Sequence, residues 1–167
     1  MTETIDAVVP TETETDAVRV RGLHPEDFDA VVAIDAKSVG RRREEFFRVK
    51  LAENLAATGV RISLAAEIQD GRASLFVGFL LARVFYGEFG RTEPAAALDT
   101  IAVHPDFRGR GVGAALLDQL KKNLRGLGVG SIQTEVSWDD PRLMTFFQHE
   151  GFRPASRLAL DLPLEPT

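Results

Sequence analysis

Apolar positions along the chain switch between a period of two and a period of three to four, and each switch marks an element. AVRVRGL, Ala17 to Leu23, alternates as a strand does. HPEDFDAVVAIDAKS opens with Pro25 and acids, the make-up of a helix first turn, and Gly40 stands where that helix should end. RRREEFFRVKLAENLA predicts a second helix, because Phe47, Leu51 and Leu55 fall at i, i+4 and i+8 on one apolar stripe. The run Arg41 to Arg43 reads as its solvated edge, with an acceptor-recognition patch as the sharper alternative.

RISLAAEI and SLFVGFLLARVFY are rich in β-formers and are joined by Gln69-Asp70-Gly71-Arg72, where Asp-Gly is a hairpin signal. The second run is almost continuously apolar, as in a central strand covered on both faces. TEPAAALDTIAV supplies another strand, preceded by a connection, Gly87 to Thr92, expected to be flexible. Gly113, Leu116, Leu117, Leu120, Leu124 and Leu127 then recur at helical spacing, and Gly126 and Gly128 can stop that helix. A strand SIQTEVSW, a helix DPRLMTFFQHEG and a last strand SRLALDL complete the pattern. The order βααββ then βαβαβ predicts an α/β fold with a mixed central sheet flanked by helices.

A chain of 167 residues, 44% hydrophobic and 27% charged, has the composition of one soluble globular domain. The net charge of -5 misleads, since five of the acids lie in Met1 to Asp16 without a single base, and the rest of the chain is balanced. A neutral body argues against nucleic-acid or membrane-surface partners. The acidic, Thr-rich residues 1–16 read as a disordered tail with neither the basic opening nor the apolar run of a signal peptide. No stretch is apolar enough to span a bilayer, and a cytoplasmic protein is expected. The chain has no cysteine, which excludes thiolate metal sites and an acyl-cysteine mechanism. His24, His104 and His149 lie far apart in no ligand spacing, so no metal is expected.

HPDFRGRGVGAALLDQL carries the chemistry. No acid stands between Phe107 and Leu117, and Gly109, Gly111 and Gly113 lack side chains that would keep a ligand off the backbone. The unsatisfied N–H groups of the helix's first turn can therefore close around phosphate oxygens, with Arg108 and Arg110 adding positive charge. Gly109, Gly111 and Ala114 also fit a GxGxxA dinucleotide fingerprint, with Glu135 as its ribose contact. In that motif the first glycine follows the strand directly, whereas HPDFR intervenes here.

LDTIAVHPDFRGRGVGAALLDQL resembles the strand, RxxGxG/A loop and helix of GNAT-superfamily acyl-CoA N-acyltransferases, with Arg108, Gly111 and Gly113 on the signature positions. TEVSWDDPRLMTFFQHEGF is similar to that family's closing strand and helix, ending in Gly151-Phe152, and the core motifs are similar to its ribosomal-protein N-alpha-acetyltransferase branch. The resemblance implies one GNAT-like domain over residues 17–162, a short tail at 163–167, and a splayed pair of parallel strands holding acetyl-CoA as co-substrate. It places the backbone of Ile101, Ala102 and Val103 along the pantetheine arm. Arg108 and the amides of Gly109, Arg110, Gly111, Val112, Gly113 and Ala114 would hold the pyrophosphate.

The implied reaction is direct attack of a neutral amine on the thioester, with backbone N–H groups stabilising the oxyanion. An amine of pKa ~10 needs a base near neutral pH. Glu135, which alternates away from Ile132, Thr134 and Val136, matches a family glutamate in that role, the alternative being a surface or structural strand glutamate, with Asp99 and Glu88 as fallback bases. His104 and His149 read as loop and helix-surface residues. Phe147 stands where the family often has a tyrosine acid, and the one tyrosine, Tyr86, lies elsewhere. Asp140 matches an asparagine that contacts the coenzyme in many relatives, although Asp140-Pro141 is also an ordinary N-cap and N1 pair. The rival reading is a catalytically weak acyl-CoA-binding module. The implied acceptor is a small amine or a protein lysine or N-terminus, and a homodimer is compatible with the sequence.

Overall fold

Pro25 and Gly40 frame the first helix as the sequence predicts. In the computed structural model, which describes residues 17–56, 62–86, 90 and 92–164, a 3-10 turn at Pro25–Asp27 leads into α1, Phe28–Val39. Gly40 adopts the left-handed conformation, with φ of 75°, and its N–H closes the helix on Ala36 O. The acidic tail expected at residues 1–16 and most of the connection Gly87 to Thr92 lie outside the described residues, as do the side chain of Leu55 and residues 165–167.

The chain divides into two units, Met1–Gln133 and Thr134–Thr167. The first contains β1 (Val18–Gly22), α1, α2 (Glu44–Ala56), β2 (Leu64–Asp70), β3 (Ala73–Phe85), β4 (Ala95–Val103), α3 (Val112–Gly126) and β5 (Ile132–Gln133). The strands form one sheet in the order β1-β2-β3-β4-β5. The first four pair antiparallel, and β5 joins β4 parallel. Asp70 pairs with Ala73 across Gly71-Arg72, and Gly71, at φ of 59°, makes the tight turn that the Asp-Gly signal predicts.

β3 lies at the centre and is covered on both faces, as its unbroken apolar run requires. Phe79 and Leu81 join a core with Val31, Val32 and Ile34 of α1 and Phe47 and Leu51 of α2. Gly78 and Leu80 alternate to the other face. There a Cβ on Gly78 would lie 3.0 Å from Val112 Cγ1, so glycine lets the start of α3 settle onto the sheet. Val112, Leu116, Leu117, Leu120 and Leu124 make the buried stripe of α3. Leu127, expected to continue that stripe, lies past the helix end and is 42% exposed.

Two arginines lock elements within this unit, Arg21 on the edge strand β1 and Arg43 between α1 and α2. Arg21 of β1 forms a two-bond pair with Asp27 at 2.7 and 2.8 Å and also bonds Glu67 of β2 at 2.7 Å. Burial works against the charged form of Asp27, but hydrogen bonds from Arg21 and the His24 N–H outweigh it and hold the carboxyl below its usual range. Glu67 is likewise held down against its burial, by Arg21 and Ser74. Arg43 is a correction to the solvated arginine edge. Arg41 and Arg42 are exposed, but Arg43 grips the buried Asp35 of α1 at 2.5 and 2.8 Å, and that hydrogen bond raises its own pKa.

The second unit holds α4, Pro141–His149. Asp140 caps it by accepting the Leu143 N–H at 2.9 Å, with Pro141 at the first helical position. Two expectations fail near and within this unit. SIQTEVSW is a strand only over Ile132–Gln133, and SRLALDL forms no strand, with Leu158, Leu160 and Leu162 at least 80% exposed. A period-two pattern marks residues suited to a half-buried strand, but the ladder itself needs a partner that sequence does not supply.

Candidate functional site

The ladder between β4 and β3 runs on until His104 donates its N–H to Val77 O at 2.8 Å, and the chain then leaves the sheet. A 3-10 turn at Pro105–Phe107 follows, capped by His104, whose Nδ1 accepts the Asp106 N–H. His104 is therefore a loop residue, as expected, with a defined capping role. Gly109 and Gly111 both sit at positive φ, 75° and 77°, where a side chain is disfavoured. Gly111 is the N-cap of α3 and brings no side chain to bond the first turn.

That first turn is open. The first α3 amide with a carbonyl partner is that of Ala115, bonded to Gly111 O at 2.9 Å. The N–H groups of Val112, Gly113 and Ala114 thus emerge from the helix end without intrahelical acceptors, at the positive pole of the dipole. No acid stands in the turn. Arg108 and Arg110 are exposed, Arg110 stacks 5.1 Å over the Phe107 ring, and neither pairs with a carboxylate among the described residues. The loop collects positive charge and leaves it unspent, which is what an incoming phosphate requires.

Ile101, Ala102 and Val103 lie half-buried on β4, opposite Leu80, Phe79 and Gly78 of β3. The parallel ladder with β5 ends at Ala97 and Gln133, so these three residues lie beyond it. Asp99 occupies a register shift: Thr100 pairs with Leu81 and Leu98 with Ala82, leaving Asp99 as the extra residue of a bulge. Its carboxylate stands 3.8 Å from Arg83 Nε, an ion pair that competes with service as a base. Glu88 lies outside the described residues.

In the second unit Glu135 is exposed and makes no hydrogen bond or ion pair among the described residues. Exposure still alternates along Thr134, Glu135, Val136 and Ser137 although no strand forms there. Phe147 is 4% exposed and packs against Phe146 and Phe152, with centroids at 5.3 and 4.9 Å. It is a packing residue here. Tyr86 is 70% exposed and His149 lies on the helix surface.

Sequence reasoning missed two contributors. Gly78 was legible as the one glycine inside an apolar strand run, a signal of close backbone approach. The second is the end of α1, where Lys37 Nζ lies 2.8 Å from His104 Nε2 and Ser38 Oγ accepts from Arg108 Nη2 at 3.0 Å. Contacts between residues so distant in sequence carry no local signal.

A mixed sheet whose β4 leads through an acid-free glycine loop into α3 is the architecture of the acetyltransferase (GNAT) family, whose model matches residues 29–152, and the chain belongs to that family. It is similar to a mycothiol acetyltransferase of Propionibacterium freudenreichii subsp. shermanii, 28% identical over 90% of this chain and 48% of that protein. It is also similar to an uncharacterized N-acetyltransferase of Gracilaria tenuistipitata var. liui, 31% identical over 69% of this chain and 56% of that one. The chain spans about half the length of these two relatives. Among solved structures, an aminoglycoside N-acetyltransferase in complex with CoA superposes with a TM-score of 0.72 at 20% identity, covering 93% of this chain and 99% of that one. A ribosomal-protein-alanine N-acetyltransferase of Brucella melitensis biovar Abortus 2308 gives 0.66 at 20% identity, covering 89% and 100%.

Proposed function

We propose that this chain transfers an acetyl group from acetyl-CoA directly to a primary amine, of a small molecule or of a protein lysine or N-terminus. The observation that carries the reading is the loop from Arg108 to Ala114. It joins outward-facing α3 amides to two arginines without a carboxylate partner among the described residues, and family membership makes the pyrophosphate of acetyl-CoA the natural anion. Ile101, Ala102 and Val103 would run beside the pantetheine arm, and no metal is called for by the chemistry.

In the proposed step the amine nitrogen bonds to the thioester carbonyl carbon, the oxyanion collapses, and the C–S bond breaks to release CoA thiolate. Glu135 would accept the amine proton. The thiolate of a thiol with pKa ~8.5 leaves without full protonation, so the buried Phe147 in place of an acid does not forbid transfer. Release of free CoA across a panel of amines tests the activity, and the acceptor emerges from the same panel. Coenzyme binding without release for any amine would favour the acyl-CoA-binding module. If Glu135 is the base, Glu135→Gln lowers the rate about 10²-fold near neutral pH and much less at high pH, where the amine is already free. An equal small loss at every pH would remove Glu135 from the mechanism.

A further inference from the structure

Arg108 is held differently from the arginines that lock the fold. Its Nη2 donates to Ser38 Oγ, a neutral acceptor in the last turn of α1 that lies 70 residues away in sequence. The Ser38 hydroxyl turns its own proton toward Ile34 O, 3.4 Å away, which leaves the oxygen lone pairs to the guanidinium. The adjacent Lys37 reaches His104, so the end of α1 meets both ends of the segment 104–108.

A hydroxyl orients a guanidinium without cancelling its charge, whereas a carboxylate does both. We propose that Ser38 is a positioning residue for the anion loop: it aims Arg108 and leaves its charge available to a phosphate of acyl-CoA. The proposal rests on the acyl-CoA reading above and adds a determinant on α1, outside the glycine loop. An aspartate at position 38 would create the pairing seen at Arg21 and Arg43, and Arg108 would be neutralised before a phosphate arrived.

The test is calorimetric titration of acetyl-CoA into the full chain carrying Ser38→Thr, Ser38→Ala, Ser38→Asn or Ser38→Asp, the last two also combined with Arg108→Gln. Ser38→Thr keeps the hydroxyl and retains binding, and Ser38→Ala weakens it about 3- to 10-fold. Ser38→Asp binds more weakly than Ser38→Asn, and that difference vanishes when residue 108 is glutamine. Melting temperatures identify any variant that fails to fold, and the Thr and Ala pair decides the matter if the Asp variant does. Equal affinities for the Asp and Asn variants, a difference that survives Arg108→Gln, or a Thr variant as weak as the Ala variant would overturn the positioning role. A wild-type chain that does not bind acetyl-CoA overturns the acyl-CoA reading itself, a result distinct from wild-type binding with no charge-specific effect at position 38.

Discussion

Arg21 on β1 and Arg43 between α1 and α2, and Arg108 and Arg110 in the glycine loop, are the same residue type put to opposite uses. The first pair ends on carboxylates, Asp27 and Glu67 for Arg21 and the buried Asp35 for Arg43. The second pair ends on a hydroxyl and an aromatic face. A guanidinium matched to a carboxylate joins two elements and has little charge left for a ligand. One held by a neutral group contributes little to the fold and stays available. The partner, more than the residue, separates structural from functional arginine in this chain.

Removing the structural partner should have the largest effect on stability. Arg43→Ala leaves Asp35 buried at 3% exposure without its counter-charge, and a loss of about 3 kcal/mol is expected in urea unfolding. A loss below about 0.5 kcal/mol would show that the pair does not hold α1 to the start of α2.

The Arg21 cluster should show itself as a pH profile. Asp27 and Glu67 both have carboxyl pKa values lowered in the fold. The unfolded chain therefore takes up protons first as pH falls. The stability they contribute is present above the unfolded values near 3.8 and 4.5 and is lost as pH drops through the lower folded values. Arg21→Gln should lower stability at neutral pH and flatten this acid limb. Parallel wild-type and mutant profiles would break the assignment.

Arg108→Gln should have the smallest effect on folding, within about 0.5 kcal/mol, because its hydrogen bond among the described residues is exposed and uncharged on the partner side. Its effect on acetyl-CoA should be large by comparison, about 10-fold or more in Kd, with a weaker dependence on salt. A variant that loses stability but keeps affinity would merge the two classes of arginine.

The glycine loop was legible in the sequence because its chemistry is local: side-chain-free glycines, two arginines, missing acids and a helix start all sit within a few residues. The antiparallel strands and α1 to α3 were legible for a similar reason, since the apolar period reports which face of each element is buried. What failed depends on remote partners. Arg43 looked like one of three solvated arginines until Asp35 was seen beneath it. The Ser38 contact to Arg108 joins segments that only folding brings together. Leu158, Leu160 and Leu162 carry a strand pattern without a strand.

If the loop from Arg108 to Ala114 binds the phosphates of acetyl-CoA, titration of that coenzyme into the wild type and Gly111→Asp will show it. Gly111 is at positive φ with open space beside it, so Gly111→Asn serves as a control with the same backbone demand and no charge. Saturable wild-type binding that weakens as ionic strength rises is expected, with tighter binding by the Asn variant than by the Asp variant and no detectable binding by a folded Gly111→Asp chain. Unchanged affinity in a folded Gly111→Asp chain would contradict phosphate binding by the loop.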